Sequence, residues 1–484
     1  MHFNKYIFNK SELTSMEQPK RYSEIINRKR MLRFALIAPV AGLLAGMWGN
    51  IQFFAVSALL IPQSLIWIIY LTYSFIDAFN DPIIGYVTDR SRKYTLKYGK
   101  RYLWIKIGVL LSPVFLVICF IPISSDPLIL TLWLIITMGT FETFLTLLEV
   151  SHNSLFPDLF REPQQRRKVS AYGGAIGGLT SIFGAIFIPV MLGISGGATS
   201  PIAYLITTIV IVILVYLLIT PYLKGVKETN EMREFRTQLD ESGKGSSPIR
   251  EVLGRIIRDR NWIALIIANT CFVIAGACML YGLNFFVYFY LELPITLASI
   301  PGLAYSGIAV ITVFLWIRIA KKIGVKKSYT ISLFLAVLGF ILFFMVEDLG
   351  GLTLVIAFMG VSSSANLGVI FQLAQAEAID NAAAISGKRE EGTYMGVLRV
   401  FSAFSYASQT IIFAIVTSFS GFNANLDWMD GLHQTSLAKL GLKLQMSLIP
   451  FCIIIIGAIL FILMYKISKE KALENVNKLA ELGL

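Results

Sequence analysis

Charge is what this sequence has least of. Its 484 residues include only 15% Asp, Glu, Lys and Arg, against 56% hydrophobic residues; soluble domains carry roughly 25% charged residues. The mean hydropathy of +0.69 and the length of the uncharged runs exclude a soluble fold, because crossing a bilayer takes about 20 apolar residues. Cysteine is also scarce. Cys119, Cys271, Cys278 and Cys452 all fall inside apolar runs, which excludes a disulfide framework or a CxxC metal site. His2, His152 and His433 are too scattered for a metal cluster. No HExxH motif is present, and the polar segments are only tens of residues long. An enzyme and a sensor with a soluble domain are therefore not expected, and no cofactor motif is present. The first thirty residues are polar and basic, without the short apolar core of a cleavable signal peptide.

What is there is a set of apolar runs. Twelve spans are expected near 32–60, 65–88, 103–122, 128–152, 169–193, 201–222, 261–290, 298–319, 328–346, 351–378, 393–418 and 445–466. Lys and Arg alternate between the connections. They crowd the N-terminus, 90–106, 161–168, 224–260, 318–327, 388–389 and the tail, and are missing from 61–64, 123–127, 194–200, 291–297 and 347–350. Only 419–444 breaks the alternation, with Lys439 and Lys443. Basic loops face the cytoplasm, so both termini are expected there, in the plasma membrane. The net charge of +12 is thus a topology signal and not a nucleic-acid footprint. The polar stretch 223–260 divides the chain evenly. The expected organisation is a cytoplasmic segment 1–31, a six-helix bundle 32–222, a linker 223–260, a second bundle 261–466 and a tail 467–484. Two equal halves joined in this way point to a carrier that opens alternately to each side. Basic connections after spans two (Gly85 to Lys93) and eight (Arg318 to Lys327) echo each other weakly; the positive-inside rule alone also accounts for both.

Charges inside spans are costly and usually functional. Asp77 and Asp81, in Tyr73-Ser-Phe-Ile-Asp77-Ala-Phe-Asn80-Asp81-Pro82, are spaced i, i+4 and share a helix face, with the Asn80 amide beside them. Two adjacent carboxylates repel unless a proton or a cation lies between them, and oxygen ligands suit a hard cation. Pro82 is expected to kink the helix and free a carbonyl there. Glu142, Thr146 and Glu149 share one side of span four, and Arg399 lies inside span eleven. Gly173, Gly174, Gly177, Gly178 and Gly184 form small-xxx-small patterns in an apolar helix and read as packing positions.

The stretch Asp77-Ala-Phe-Asn80-Asp81-Pro82-Ile-Ile-Gly85, the loop Lys97-Tyr98-Gly99-Lys100-Arg101-Tyr102, and the segment Gly387-Lys388-Arg389-Glu390-Glu391-Gly392-Thr393-Tyr394 resemble the glycoside–pentoside–hexuronide:cation symporter family, the melibiose-permease-like branch of the major facilitator superfamily. The resemblance implies an all-α membrane protein of twelve transmembrane helices in two six-helix bundles. It implies Asp77, Asn80, Asp81 and Thr146 as ligands of the coupling ion, Na⁺ or H⁺, with Asp77 and Asp81 the metal ligands if the ion is Na⁺. Glu149, Asn153 and Arg399 are the implied solute contacts, and Asp89, Arg90 and Arg92 the gating positions in the following loop. Other sugar contacts of the family are changed: Val40, Ala41, Gly174 and Ala403 stand at or near its charged positions. The expected function is symport of a sugar or glycoside by a monomer. Transport of an amphipathic lipid is the alternative, raised by those changes and by the aromatic run Phe285-Phe286-Val-Tyr288-Phe289-Tyr290.

Overall fold

The computed structural model describes residues 26–90, 99, 101–160, 163–229, 249–387 and 391–482. Twelve long helices carry the chain back and forth: α1 (Arg28–Ala58), α2 (Gln63–Arg90), α3 (Tyr102–Cys119), α4 (Pro127–Leu159), α5 (Pro163–Ile194), α6 (Pro201–Val226), α7 (Arg260–Tyr290), α8 (Ile295–Ile323), α9 (Val325–Phe343), α10 (Leu349–Ser386), α11 (Glu391–Ser420) and α12 (Ser436–Met464). All but α2 are long and apolar enough to cross a bilayer by length and composition. α2 has the length, 28 residues, and is the helix that carries Asp77 and Asp81. It continues as α-helix through Pro82 to Arg90.

Polar residues mark where the helices begin. Asp126 accepts from the amides of Leu128 (2.8 Å) and Ile129 (3.2 Å) ahead of Pro127, and Asp259 does the same for Asn261 and Trp262, satisfying donors that a helix start leaves open. Within the spans, hydroxyls turn back on the helix: Thr131, Thr137, Thr140 and Thr143 each donate to the carbonyl four residues earlier. That removes polar atoms from a solvent that cannot hydrogen-bond them. Leu128, Leu132 and Ile136, one stripe of α4, are each 62% exposed, as a lipid-facing surface requires.

The packing repeats. In the first half the main pairs are α2–α4, α3–α4, α1–α5, α1–α6 and α3–α6; in the second they are α8–α10, α9–α10, α7–α11, α7–α12 and α9–α12. These are the same pairs displaced by six helices. The pairs α2–α11 and α5–α8, which join the halves, exchange under the same operation. Local geometry repeats too. α1 ends in a π-helical turn, Phe54–Ala58, and α7 in another, Phe286–Tyr290. Leu59 N donates to Phe54 O and Ile61 N to Ala55 O; Leu291 N donates to Phe286 O and Leu293 N to Val287 O. Leu60 and Glu292, at matching positions, both have φ of 54°, rare outside glycine.

The last span begins earlier than 445. Ser436–Met446 is already helical, and the helix breaks at Ser447 before Leu448–Met464. This accounts for the two lysines that broke the charge alternation. Lys439 pairs with Glu292 at 2.7 Å and Lys443 pairs with Glu347, so acidic partners offset the charge at that end. Two further helices lie outside the bundles. Ile249–Arg258 precedes α7, and Lys469–Leu482 packs on α10, where Asn475 donates to Asn381 at 3.1 Å.

Candidate cation site

α2 and α4 pack along each other, and Asp77 and Glu142 sit near the middle of each. Glu142 is 9% exposed. Tyr73 Oη donates to its Oε2 at 2.8 Å and Thr146 Oγ1 to its Oε1 at 3.2 Å, so each carboxyl oxygen receives one hydroxyl. Tyr73 is one turn before Asp77 and Thr146 one turn after Glu142, so ordinary i, i+4 spacing brings all four to one seam. Asp77 and Glu149 both lie within electrostatic reach of Glu142. Asn80 Nδ2 donates to Thr143 Oγ1 at 3.2 Å. Thr143 is itself anchored on the carbonyl of Gly139 at 2.8 Å.

Aromatic rings enclose this seam. Trp48 of α1 lies 5.2 Å from the Tyr73 ring and stacks on Phe141 at 4.7 Å. From the other half, Tyr281 of α7 meets Tyr70 at 6.4 Å and Tyr406 of α11 at 6.2 Å. Glu142 acts electrostatically on both Tyr281 and Tyr406, and Asp77 on Tyr406. The carboxylates are therefore felt across the contact between the halves.

The residues expected from the sequence divide as follows. Asp77, Asn80 and Thr146 gather on the α2–α4 seam. Thr146 donates to Glu142, and Asn80 to Thr143. Glu149 is half-buried two turns further along α4, while Asn153 and Arg399 are exposed. The side chains of Asp81, Asp89 and Arg90, and the whole of Arg92, lie outside the described residues. Glu142 and Tyr73 lie outside the ion-ligand set expected from the sequence, although the i, i+4 spacings Tyr73–Asp77 and Glu142–Thr146 are visible in it. Among the described residues no group of three His, Cys, Asp or Glu side chains is placed to hold a metal ion. All four cysteines are free. His152 is packed against Phe34 at 4.1 Å and bonded to Tyr222 at 2.9 Å.

The aromatic run at the end of α7 faces protein, not lipid. Phe285, Phe286, Tyr288 and Phe289 are at most 2% exposed. Phe53 of α1 makes an edge contact with Phe285 at 4.8 Å, and Asn284 Nδ2 donates to Asn50 Oδ1 at 2.8 Å. The halves thus close on each other through α1 and α7 at the end away from the basic connections. The run gives no support to a lipid-binding role.

The MFS/sugar transport protein family matches residues 36–469. An isoprimeverose transporter of Lactiplantibacillus pentosus is 23% identical over 292 residues, 60% of this chain and 58% of that protein's own length, so the likeness spans little more than half of that relative. Among solved structures, a bacterial homologue of the human lysosomal transporter Spinster, inward-facing and unoccupied, aligns over 93% of this chain and 99% of its own with a TM-score of 0.67 at 14% identity. A D-xylose-proton symporter aligns over 91% and 98% with a TM-score of 0.63 at 13% identity. These structural likenesses establish the major facilitator fold that the packing repeat describes. With the family match covering most of its length, the chain belongs to the MFS/sugar transport protein family, and its apolar helices make it a multi-pass membrane protein.

Proposed function

We propose that this transporter is a cation-coupled symporter of a small polar solute, a sugar or glycoside. The observation that carries the reading is Glu142, buried at mid-membrane with a hydroxyl on each oxygen and Asp77 within electrostatic reach. The middle of the first six spans contains no Lys or Arg. Like charges so placed need a proton or a cation between them. Asp77, Asn80 and Asp81 are the ligands we assign to the coupling ion, Na⁺ or H⁺, with Glu142 completing the anionic wall and Thr146 orienting it. The ion is cargo, carried with the solute and released with it. The sugar class rests on the family and on the isoprimeverose transporter to which the chain is similar. In this reading the protein works as a monomer in the plasma membrane. Both termini and the linker 223–260 are cytoplasmic, and the halves 32–222 and 261–466 rock about α2–α11 and α5–α8.

The test is uptake into proteoliposomes under imposed Na⁺ or H⁺ gradients, with labelled isoprimeverose, D-xylose and a lysophospholipid as candidate solutes. Accumulation of a sugar that follows one gradient is expected, and Asp77→Asn or Asp81→Asn should abolish accumulation while leaving exchange across the membrane. If both variants accumulate solute as the parent does, the ion-site assignment is wrong.

A further inference from the structure

A cavity of about 270 Å³ lies between α1 and α5 of the first half and α7 and α8 of the second. That is just below the range for small-molecule sites, about 300–1,000 Å³. None of the residues that line it is charged, and none is Glu149, Asn153 or Arg399. Its floor is Gly42, Gly46 and Gly49 on one face of α1, with Gly184 of α5 opposite. Met279, Leu280 and Leu283 supply an apolar wall.

The polar atoms in this cavity are under-used. Asn50 donates to Gly46 O at 2.9 Å and accepts from Asn284 at 2.8 Å. That leaves the Asn284 side-chain oxygen without a partner among the described residues. Neighbouring hydroxyls close back on their helices, Thr180 on Ile176 O and Thr312 on Ile308 O. The hydroxyls of Ser181 and Ser306, both lining the cavity, make no such bond among the described residues. Such atoms are open to a partner that both donates and accepts.

We propose that the transported solute is seated in this cavity, and that it is uncharged and hydroxylated, as a neutral glycoside is. Amide and hydroxyl groups address its hydroxyls, and the apolar wall covers its C–H face. An ionised solute would enter without any counter-charge, which is costly in a low-dielectric site. Both halves contribute to the cavity, so their separation opens it. The inference rests on the symport reading but names a seat distinct from the α2–α4 ion seam.

Gly184 gives a clean probe. A Cβ there meets nothing within 4 Å, and Gly184 lines the cavity, so Gly184→Leu adds bulk at its wall with no clash at the Cβ. Gly173→Leu on the same helix, equally unobstructed and outside the cavity, is the control. Proteoliposome uptake is measured with a labelled methyl glucoside, D-xylose and the matching methyl glucuronide, alongside melting temperature in detergent. Wild type should take up at least one neutral sugar and not the glucuronide. Gly184→Leu should lose uptake by about tenfold or more, as expected for a filled site, with melting unchanged and Gly173→Leu normal. Asn284→Ala should raise the solute KM by about fivefold, the cost of one buried hydrogen bond. Normal uptake by Gly184→Leu overturns the seat. Preference for the glucuronide, or no uptake of any of the three, overturns the solute class. Neutral-sugar uptake that ignores every cation gradient yet is blocked by Gly184→Leu removes the symport reading and leaves the cavity standing.

Discussion

Tyr73→Phe is the smallest change that reaches the ion seam. It deletes one oxygen and keeps the ring that packs on Trp48 at 5.2 Å, so its effect isolates the 2.8 Å bond to Glu142. Both partners are buried, at 7% and 9% exposure, and water is poorly placed to replace the hydroxyl. A hydrogen bond to a charged group contributes about 1.5–3 kcal/mol. At about 1.4 kcal/mol per decade that becomes roughly 10–150-fold in ion affinity. The sign depends on the ion. If Na⁺ is carried, the ionised carboxylate loses a supporting donor, and the half-saturating Na⁺ concentration for solute uptake rises by that factor. If H⁺ is carried, the same loss favours the protonated carboxyl, and the half-saturating H⁺ concentration falls. The assay is initial solute uptake in proteoliposomes against external Na⁺ at fixed pH, and against pH at fixed Na⁺. Glu142→Gln and the double variant complete a cycle, in which the two changes should be non-additive by about 1 kcal/mol or more, as contacting residues are. Half-saturation within about twofold of wild type in both titrations, together with additive behaviour, would refute the placement of Glu142 in the ion site.

Two other perturbations test packing and the far end of the bundle. A Cβ at Gly108 of α3 would lie 2.7 Å from Leu148 N and Phe144 O of α4; since backbone cannot move aside cheaply, Gly108→Ala should cost about 1–3 kcal/mol, read as a lower melting temperature. Glu292 is bonded by Lys439 and His433. Partial burial pulls its carboxyl upward, but the two donors outweigh it and hold the group below the ordinary carboxylate range. A depressed folded-state value means the contribution is complete above the unfolded pKa of about 4.3 and is lost as pH falls through the folded value. Wild type should therefore melt higher than Glu292→Gln at pH 7, with the gap closing on acidification below about pH 4; a gap independent of pH would contradict the ion-pair assignment.

The spans were legible because a bilayer rewards one property, apolar length, and the alternation of Lys and Arg fixed their order of crossing. The error at the last span has the same root: Lys439 and Lys443 read as loop charges, and only a fold could bring Glu292 and Glu347 to them. At the ion seam the sequence supplied the costly groups, Asp77 and Glu142, because charge at mid-membrane is rare in any span. It withheld their pairing, since whether Glu142 meets Tyr73 depends on how α4 is rotated against α2, and that is set by contacts far apart in the chain.

The two-fold repeat shows what hydropathy leaves out. The π turns at Phe54–Ala58 and Phe286–Tyr290 share backbone bonds and the positive φ that follows them, yet their sequences share little more than the leading phenylalanine. Lipid constrains how backbone groups are satisfied, not which side chains hang from them, so the halves keep their geometry while their surfaces diverge. The first half holds the carboxylates of α2 and α4, and Tyr281 of α7 and Tyr406 of α11 in the second half lie within their electrostatic reach. Near the two-fold axis the halves meet residue to residue, Phe53 on Phe285 and Asn50 on Asn284, beside the uncharged cavity. Tyr281 belongs to the same helix as Asn284, so a change of charge at Glu142 reaches a helix that lines the cavity. On the proposed reading, ion occupancy and the closure of the solute cavity are then one equilibrium, which is what coupling two fluxes requires.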